Sequence, residues 1–218
     1  MGFNPDYIVR NLPVLAEGLW MTLVVSAFGL LVAAPIGFAA ALGSLRGRRW
    51  VAGLTTAYVQ AFRNTPLLVQ LYLVYFGLPL IGLAWDPTAS GVAALGLYHG
   101  AFLSEVFRAG LAAISARQLE AAASLGMPYR LALRRILLPQ AVRMMLPALG
   151  NEFVLLVKNS SLLSTIAIVE LTMSGKLLAE RSGAVYEVFV AVGALYLIVT
   201  SLMALALRRV EWRLRMAE

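Results

Sequence analysis

The sequence contains no cysteine, and charged residues make up only 13% of its 218 residues. The missing cysteines exclude a disulfide framework and a thiolate metal site. Hydrophobic residues make up 61% of the chain. An ordinary soluble domain is about 25% charged, so this class of protein is excluded. The apolar segments leave no room for a second core, and we expect a single transmembrane domain over residues 1–218.

Several catalytic motifs are also missing. No Gly-x-x-x-x-Gly-Lys-[Ser/Thr] phosphate loop occurs, so we do not expect this chain to hydrolyse ATP. The absence of Gly-x-Ser-x-Gly and His-Glu-x-x-His argues against an intramembrane hydrolase. We therefore expect no catalytic residue, no metal and no cofactor. Residues 1–10 include Asp6 and lack the apolar core of a removable signal peptide.

The net charge of +7 is unevenly distributed. The basic residues of the chain lie in clusters beside the apolar blocks, and they do not form a patch with interleaved aromatic residues. This pattern argues against nucleic acid as a partner. The first block exceeds the ~20 residues that a spanning helix needs. We predict five spans from the apolar blocks at about 15–45, 51–83, 91–114, 144–171 and 185–207. Basic residues mark the cytoplasmic side, which places the N-terminus outside and the C-terminus inside. Residues 172–183 are polar enough for a surface helix or loop.

A polar break, Arg63-Asn64-Thr65-Pro66, interrupts the second block. Thr65 can cap a new half-helix over residues 67–76, with Pro66 as its first residue. The free amides at the start of such a half-helix would suit a carboxylate. A plain proline kink is the alternative.

Ionisable side chains fall within the apolar blocks, where each is costly. These residues are Arg63, Glu105, Arg108, Glu152 and Lys158. We expect them to face the bundle interior or a watery cavity. Alternatively, Glu105 and Arg108 neutralise each other, because they lie three residues apart on one helix. His99 is expected to be a polar group near the outer interface rather than a metal ligand.

A charged stretch between the third and fourth blocks has unusual local order. Residues 118–125 are strong helix formers, Gly126 and Pro128 stop a helix, and residues 129–137 resume helical character before Pro139. Such a stretch either fits a cleft on a partner protein or lies as an amphipathic helix on the bilayer surface.

The spacing within this stretch resembles the signature loop of the membrane subunits of bacterial ABC importers. The matching residues are Glu120, Ala121, Ala122, Gly126, Ile136, Leu138 and Pro139. Residues 63–70, 98–110 and 158–162 further resemble the branch importing polar amino acids, the histidine, glutamine and glutamate permease-like family. The similarity covers residues 15–209.

This resemblance implies an all-α, polytopic type I importer permease in a bacterial inner membrane, with five transmembrane helices. Residues 117–139 would form the cytoplasmic coupling loop, which docks into a cytosolic ATPase subunit that binds ATP and magnesium. The other implied partners are a second permease subunit, identical or paralogous, and an external amino-acid-binding protein.

The resemblance also implies an amino-acid site between the spans. Its residues would be Asn64, Thr65, Lys158, Asn159 and Ser160, with Arg63, Glu105 and Glu152 as further members. Lys158 or Arg63 suits the substrate carboxylate, and Glu105 or Glu152 suits the ammonium group. The alternative is a secondary transporter or channel driven by an ion gradient; a scaffold without transport is disfavoured by the intramembrane charges. The transported amino acid, the type of dimer and the subunit that holds the productive site stay open.

Overall fold

The computed structural model describes residues 5–113 and 116–215, and these ranges contain helices and no strand. The all-α prediction is confirmed. The α-helices are α1 Pro5–Arg46, α2 Arg49–Arg63, α3 Leu67–Tyr72, α4 Pro87–Ala112, α5 Ala116–Ser124, α6 Tyr129–Ala132, α7 Leu138–Asn159, α8 Leu171–Ser182 and α9 Val185–Arg215. Residue 114, the predicted end of the third span, lies outside the described residues.

Two parallel helices, α1 and α4, form the centre of the bundle. Glycines bring their backbones together: Gly29 lies against Leu95, and a Cβ at Gly37 would lie 2.8 Å from the carbonyl oxygen of Gly100. Small residues are the usual means of close helix packing in membranes. α1 begins at Pro5, earlier than predicted, and stays helical through Pro13 and Pro35.

The remaining helices pack around this pair in alternating directions. α2 returns along α1 and joins α4 through Tyr58, whose hydroxyl donates to the carbonyl of Leu97 at 2.6 Å. α7 runs antiparallel to α4, with Met145 against Gly110, and α9 runs antiparallel to α7, with Leu207 against Gly150. The end of α1, the α5 region and the end of α9 therefore share one end of the bundle.

Residues 172–183 are predicted to form a surface helix or loop, and a helix does form, but part of it is buried. α8 buries Leu171, Ser174 and Leu178 and packs on α1 and α9. Glu170, which is 0% exposed, caps α8 by accepting from the amides of Thr172 and Met173 at 2.9 and 2.8 Å. The polar side of α8 is thus used within the protein.

Glu170 also joins three helices. The hydroxyl of Tyr196 on α9 donates to Glu170 Oε2 at 2.9 Å, and Thr22 Oγ1 on α1 lies 3.5 Å from the same oxygen. Thr22 in turn accepts from the amide of Leu171 at 3.1 Å. We call Thr22, Glu170 and Tyr196 the Glu170 cluster.

Two π-helical segments explain how proline is accommodated. Leu73–Gly77 precedes Pro79, and Leu133–Leu137 precedes Pro139. A π-turn shifts the hydrogen-bond register, so the chain stays helical although proline has no N–H. The helical character predicted for residues 129–137 is present, and it continues past Pro139 into α7.

Within the described ranges, α1 and α9 are each long and apolar enough to cross a membrane. The number rises to four if two bent pairs each count as one span: α2 with residues 67–81, bent by 106°, and residues 129–166 with α8, bent by 48°. The predicted number of five, which requires α4 as well, stays a prediction. α4 itself is 26 residues long.

Candidate functional site

The break between α2 and α3 is closed by a side chain that the sequence analysis did not single out. Pro66 has no N–H, so the carbonyl of Phe62 loses its helical partner, and the carbonyl of Thr65 lies before the start of α3. Gln70 Nε2 donates to both carbonyls, at 2.9 and 3.0 Å. Gln70 is buried, and its Oε1 has no hydrogen-bond partner among the described residues.

The predicted capping role of Thr65 is wrong. α3 begins at Leu67 with Pro66 in the capping position and no side-chain cap, because Gln70 closes the turn instead. Asn64 also turns away from this opening, since its Nδ2 donates to Gln60 Oε1 at 2.9 Å. The predicted pair Asn64 and Thr65 therefore flanks the break without satisfying it.

A first charged cluster links the end of α2 to α4. Arg108 makes a two-pronged contact with Glu105, Nε to Oε1 at 3.1 Å and Nη2 to Oε2 at 2.7 Å. Arg63 Nη1 lies 3.9 Å from Glu105 Oε2, and its guanidinium stands 5.3 Å from the ring centre of Phe102. The neutralising pair considered from the sequence thus forms, with Arg63 added. One carboxylate lies between two guanidinium groups.

Two cavities adjoin this cluster. One of about 430 Å³ lies between α4 and α7 and is lined by Glu105, Arg108 and Met145. The other, of about 330 Å³, lies between α1, α2 and α4 and is lined by Thr55, Gln60 and the same Glu105 and Arg108. Both volumes are within or near the range of small-ligand sites, ~300–1,000 Å³. Glu105 and Arg108 separate the two spaces.

A second polar cluster lies nearer the start of α4. His99 Nδ1 is 3.1 Å from Glu152 Oε2, and Asn159 Nδ2 is 3.2 Å from His99 Nε2. With Asn159 as donor, Nε2 accepts, and Nδ1 then carries the proton that is donated to Glu152. His99 is 1% exposed, so it lies buried between α4 and α7; its expected place near the outer interface stays a prediction. His99 bridges two predicted site residues of α7.

Lys158 and Ser160 do not join these clusters. Lys158 is exposed and has no hydrogen-bond or ion-pair partner among the described residues. Helical geometry explains this, because Asn159 occupies the α7 face that turns toward α4. Ser160 is buried, and its hydroxyl donates to the carbonyl of Val157 at 2.8 Å. In the single chain, Lys158 does not face the bundle interior; the other expectation, that it faces a watery cavity, stays a prediction.

Of the eight predicted site residues, the structure brings four together along α4. These are Arg63 and Glu105 in one cluster and Glu152 and Asn159 in the other. Sequence reasoning missed His99 and Gln70 as members of this region. The lone histidine was visible, but its carboxylate partner is 53 residues away in the chain. Only the packing of α7 on α4 pairs them.

The predicted coupling loop lies at the opposite end of α4 from Asp86. α5 carries Glu120, Ala121 and Ala122, of which Ala122 is buried and the other two are exposed. Gly126 ends the turn with φ +74°. The amide of Gly126 donates to Ala123 O at 2.9 Å, and that of Met127 to Ala122 O at 3.0 Å. This is the glycine-dependent helix ending known as a Schellman motif.

The loop presents an apolar side chain at its tip. Leu125 is 82% exposed, and Leu138 and Pro139 are also exposed on the following helix, whereas Ile136 is partly buried.

A family model described as "Binding-protein-dependent transport system inner membrane component" matches residues 33–216. The chain is 36% identical over 211 residues to the probable glutamine ABC transporter permease protein of Bacillus subtilis (strain 168), which covers 97% of this chain and 98% of that protein. It is 37% identical over 224 residues to the octopine transport system permease protein of Rhizobium meliloti, covering 98% and 91%. The glutamine transport system permease protein of Escherichia coli (strain K12) is 33% identical over 218 residues, covering 99% of each.

Solved structures give the same result for the fold. The crystal structure of an amino acid ABC transporter with histidines superposes with a TM-score of 0.90 at 32% identity, covering 98% of this chain and 100% of that chain. An inward-facing methionine ABC transporter gives a TM-score of 0.73 at 21% identity over 94% and 98% of the two chains. The second likeness concerns the fold alone.

Proposed function

The chain belongs to the binding-protein-dependent transport system inner membrane components, within the amino acid ABC transporter permeases, and from this premise we propose that it moves a polar amino acid across the membrane. The observation that carries the proposal is the position of Glu105. This carboxylate lies between Arg63 and Arg108 and lines two cavities of about 430 and 330 Å³.

The chemistry of these residues suits a zwitterion. Arg63 reaches Glu105 at only 3.9 Å and keeps 41% of its side chain exposed, so its guanidinium retains free donors for a carboxylate. Glu105, or Glu152 one cluster further along α4, supplies an acceptor for the ammonium group. Of the other predicted members, Asn159 lies in the second cluster beside His99, whereas Asn64, Thr65 and Ser160 are kept from the family resemblance alone. We assign the substrate to the space beside α4 that Arg63, Glu105 and Glu152 border.

Lys158 has a different place in the proposal. Its side chain is exposed on α7, and a lysine facing lipid at membrane depth is costly. A second permease subunit, identical or paralogous, would cover this face and bring Lys158 to the pathway between the subunits. The substrate site would then be completed by dimer formation.

Transport energy would enter through α5. The exposed Glu120, Ala121 and Leu125 form a projecting helix end, and its turn is ordered by two backbone hydrogen bonds. We assign residues 117–139 to a cleft on a cytosolic ATPase, which binds the ATP and magnesium that this chain does not. An external binding protein delivers the substrate.

The orientation follows from the basic residues. Arg46, Arg130 and Arg209 lie at the bundle end that carries α5, and Asp86 lies at the other end. The positive end faces the cytoplasm in this proposal. The N-terminus is then outside and the C-terminus inside.

Reconstituted uptake tests the proposal. The full chain, its ATPase and its binding protein are placed in proteoliposomes, and uptake is measured for a panel of labelled amino acids with ATP or ADP supplied to the ATPase. We expect uptake of a polar amino acid that requires ATP and survives a protonophore. Uptake driven by an ion gradient without ATP would establish the secondary-transporter alternative instead.

A further inference from the structure

A third cavity lies where the coupling loop meets the bundle. It has a volume of about 510 Å³ and is bordered by the end of α1, the end of α4, α5 and the segment from α6 to the start of α7. It is a groove open on one side, since the lining residues Phe38 and Tyr129 are 44% and 50% exposed, and its walls also include Leu42 from α1, Leu119 from α5 and Leu133 and Leu137 from the π-helical segment. It is separate from the two cavities beside Glu105.

This lining is apolar over most of its extent. A polar amino acid would find no carboxylate among the lining residues, and water would find few partners to hydrogen-bond. The volume is ample for a flexible hydrocarbon chain. The cavity therefore selects for an apolar occupant.

One charged side chain lies at the edge of the apolar lining. Arg46, the last residue of α1, is the charged member of the lining among the described residues. Arg48 and Arg49 follow it, and Arg130 and Arg134 adjoin the lining residues Tyr129 and Leu133; all four arginines are exposed. Glu120, beside Leu119, is the acidic counterpart in this region. The surroundings are strongly basic on balance.

We propose that this cavity binds one anionic phospholipid of the cytoplasmic leaflet. An acyl chain fills the space between Leu42 and Leu133, and the phosphate lies at Arg46. Basic pockets between helices on the cytoplasmic side are suited to anionic head groups, and arginine matches phosphate geometry. Fatty-acid-like amphiphiles share this chemistry in part, but the bilayer supplies phospholipid at far higher local concentration.

The position of the lipid gives it a consequence for coupling, which rests on the proposed function. The occupant contacts the end of α1 on one side and the loop helices on the other, so it forms part of the junction between α5 and the bundle. Bilayers lacking anionic lipid would then uncouple ATP hydrolysis from transport. Lipid binding itself does not depend on this consequence.

Native mass spectrometry of the purified full chain tests the binding. The chain is released from nanodiscs that contain phosphatidylglycerol and phosphatidylcholine in equal amounts, and the retained lipid is identified. Leu42→Trp fills the cavity and should abolish retention, whereas Leu202→Trp, on the exposed face of α9, should not. Arg46→Gln should lower the preference for phosphatidylglycerol about fivefold, while the matched control Arg208→Gln should leave it unchanged.

Three outcomes would overturn the proposal. If the Leu42→Trp chain retains as much lipid as the unmodified chain, the lipid binds elsewhere. If the unmodified chain retains phosphatidylglycerol and phosphatidylcholine equally, Arg46 does not select an anionic head group. Loss of lipid from both tryptophan variants would show a non-specific annular lipid only. If Leu42→Trp fails to fold, Leu42→Phe repeats the test with a smaller change. None of these readouts requires transport, so a failure here leaves the importer proposal standing.

Discussion

Replacing Gly126 separates the backbone conformation of the coupling loop from its surface chemistry. Gly126 has φ +74°, and no heavy atom of its described surroundings lies within 4 Å of an added Cβ. A new side chain there meets open space, so the penalty is conformational. For a residue other than glycine, the left-handed conformation costs roughly 1–2 kcal/mol. Asparagine is among the few residues that adopt it routinely.

The expected results follow from that difference. In Gly126→Val, a penalty of about 1–2 kcal/mol lowers the population of the ordered turn about 5- to 30-fold relative to alternatives. The two hydrogen bonds that close α5, to Ala122 and Ala123, open with it. We expect transport and co-purification of the ATPase to fall together while membrane insertion is normal. Gly126→Asn should keep most of the transport and most of the ATPase co-purification.

The two variants are compared in proteoliposomes by uptake and by substrate-stimulated ATP hydrolysis. Equal, normal coupling in both would show that the left-handed turn is not needed, and the loop would return to the role of a helix on the bilayer surface. Equal impairment in both would locate the defect in contact between the partner and the new side chain. Either result would refute the conformational argument.

Four further outcomes are expected. Glu105→Gln should weaken substrate binding, measured by calorimetry, about ten- to a hundredfold. Assembly should be unchanged, because the ion pairs that the substitution breaks are half-exposed. Unchanged affinity would exclude Glu105 from the site. Lys158→Met should weaken binding by a similar factor without lowering the melting temperature, and a destabilised chain would instead indicate a structural partner in the dimer. Since the chain has no cysteine, single cysteines at Arg48 and Asp86 should be labelled from the cytosolic and external sides respectively, and the reverse would invert the topology. Tyr196→Phe should lower the free energy of unfolding by about 1–3 kcal/mol, and no change in thermal melting would contradict the importance of its bond to Glu170.

Local sequence signals predicted much of the fold. The third apolar block, predicted from residue 91, belongs to α4, which begins earlier at Pro87 because the Asp86 carboxylate caps it by accepting from the amides of Thr88 and Ala89. Gly126 marks the end of α5, and the Arg63–Pro66 break separates α2 from α3. Each of these features depends on a few neighbouring residues. Capping and turn chemistry is local, so the sequence carries it directly.

The parts that could not be predicted depend on distant contacts. Gln70 closes a break that begins eight residues earlier, and His99 finds Glu152 only when α4 and α7 pack. The exposure of Lys158 likewise depends on how α7 is rotated against α4. No periodicity or motif reports such a rotation when both faces of a helix are apolar. The clusters could be proposed from charge, but their pairing could not.

The Glu170 cluster also constrains the order in which the protein can fold during synthesis. Glu170 has no contact with solvent in the finished bundle, yet one of its donors, Tyr196, lies 26 residues further along the chain. During synthesis, α8 therefore emerges before the hydroxyl that helps to satisfy its cap. The carboxylate reaches its full set of hydrogen bonds only after the part of α9 that carries Tyr196 has packed against α1 and α8. A chain cut short before Tyr196 would leave Glu170 without that donor at the corner between α1 and α8.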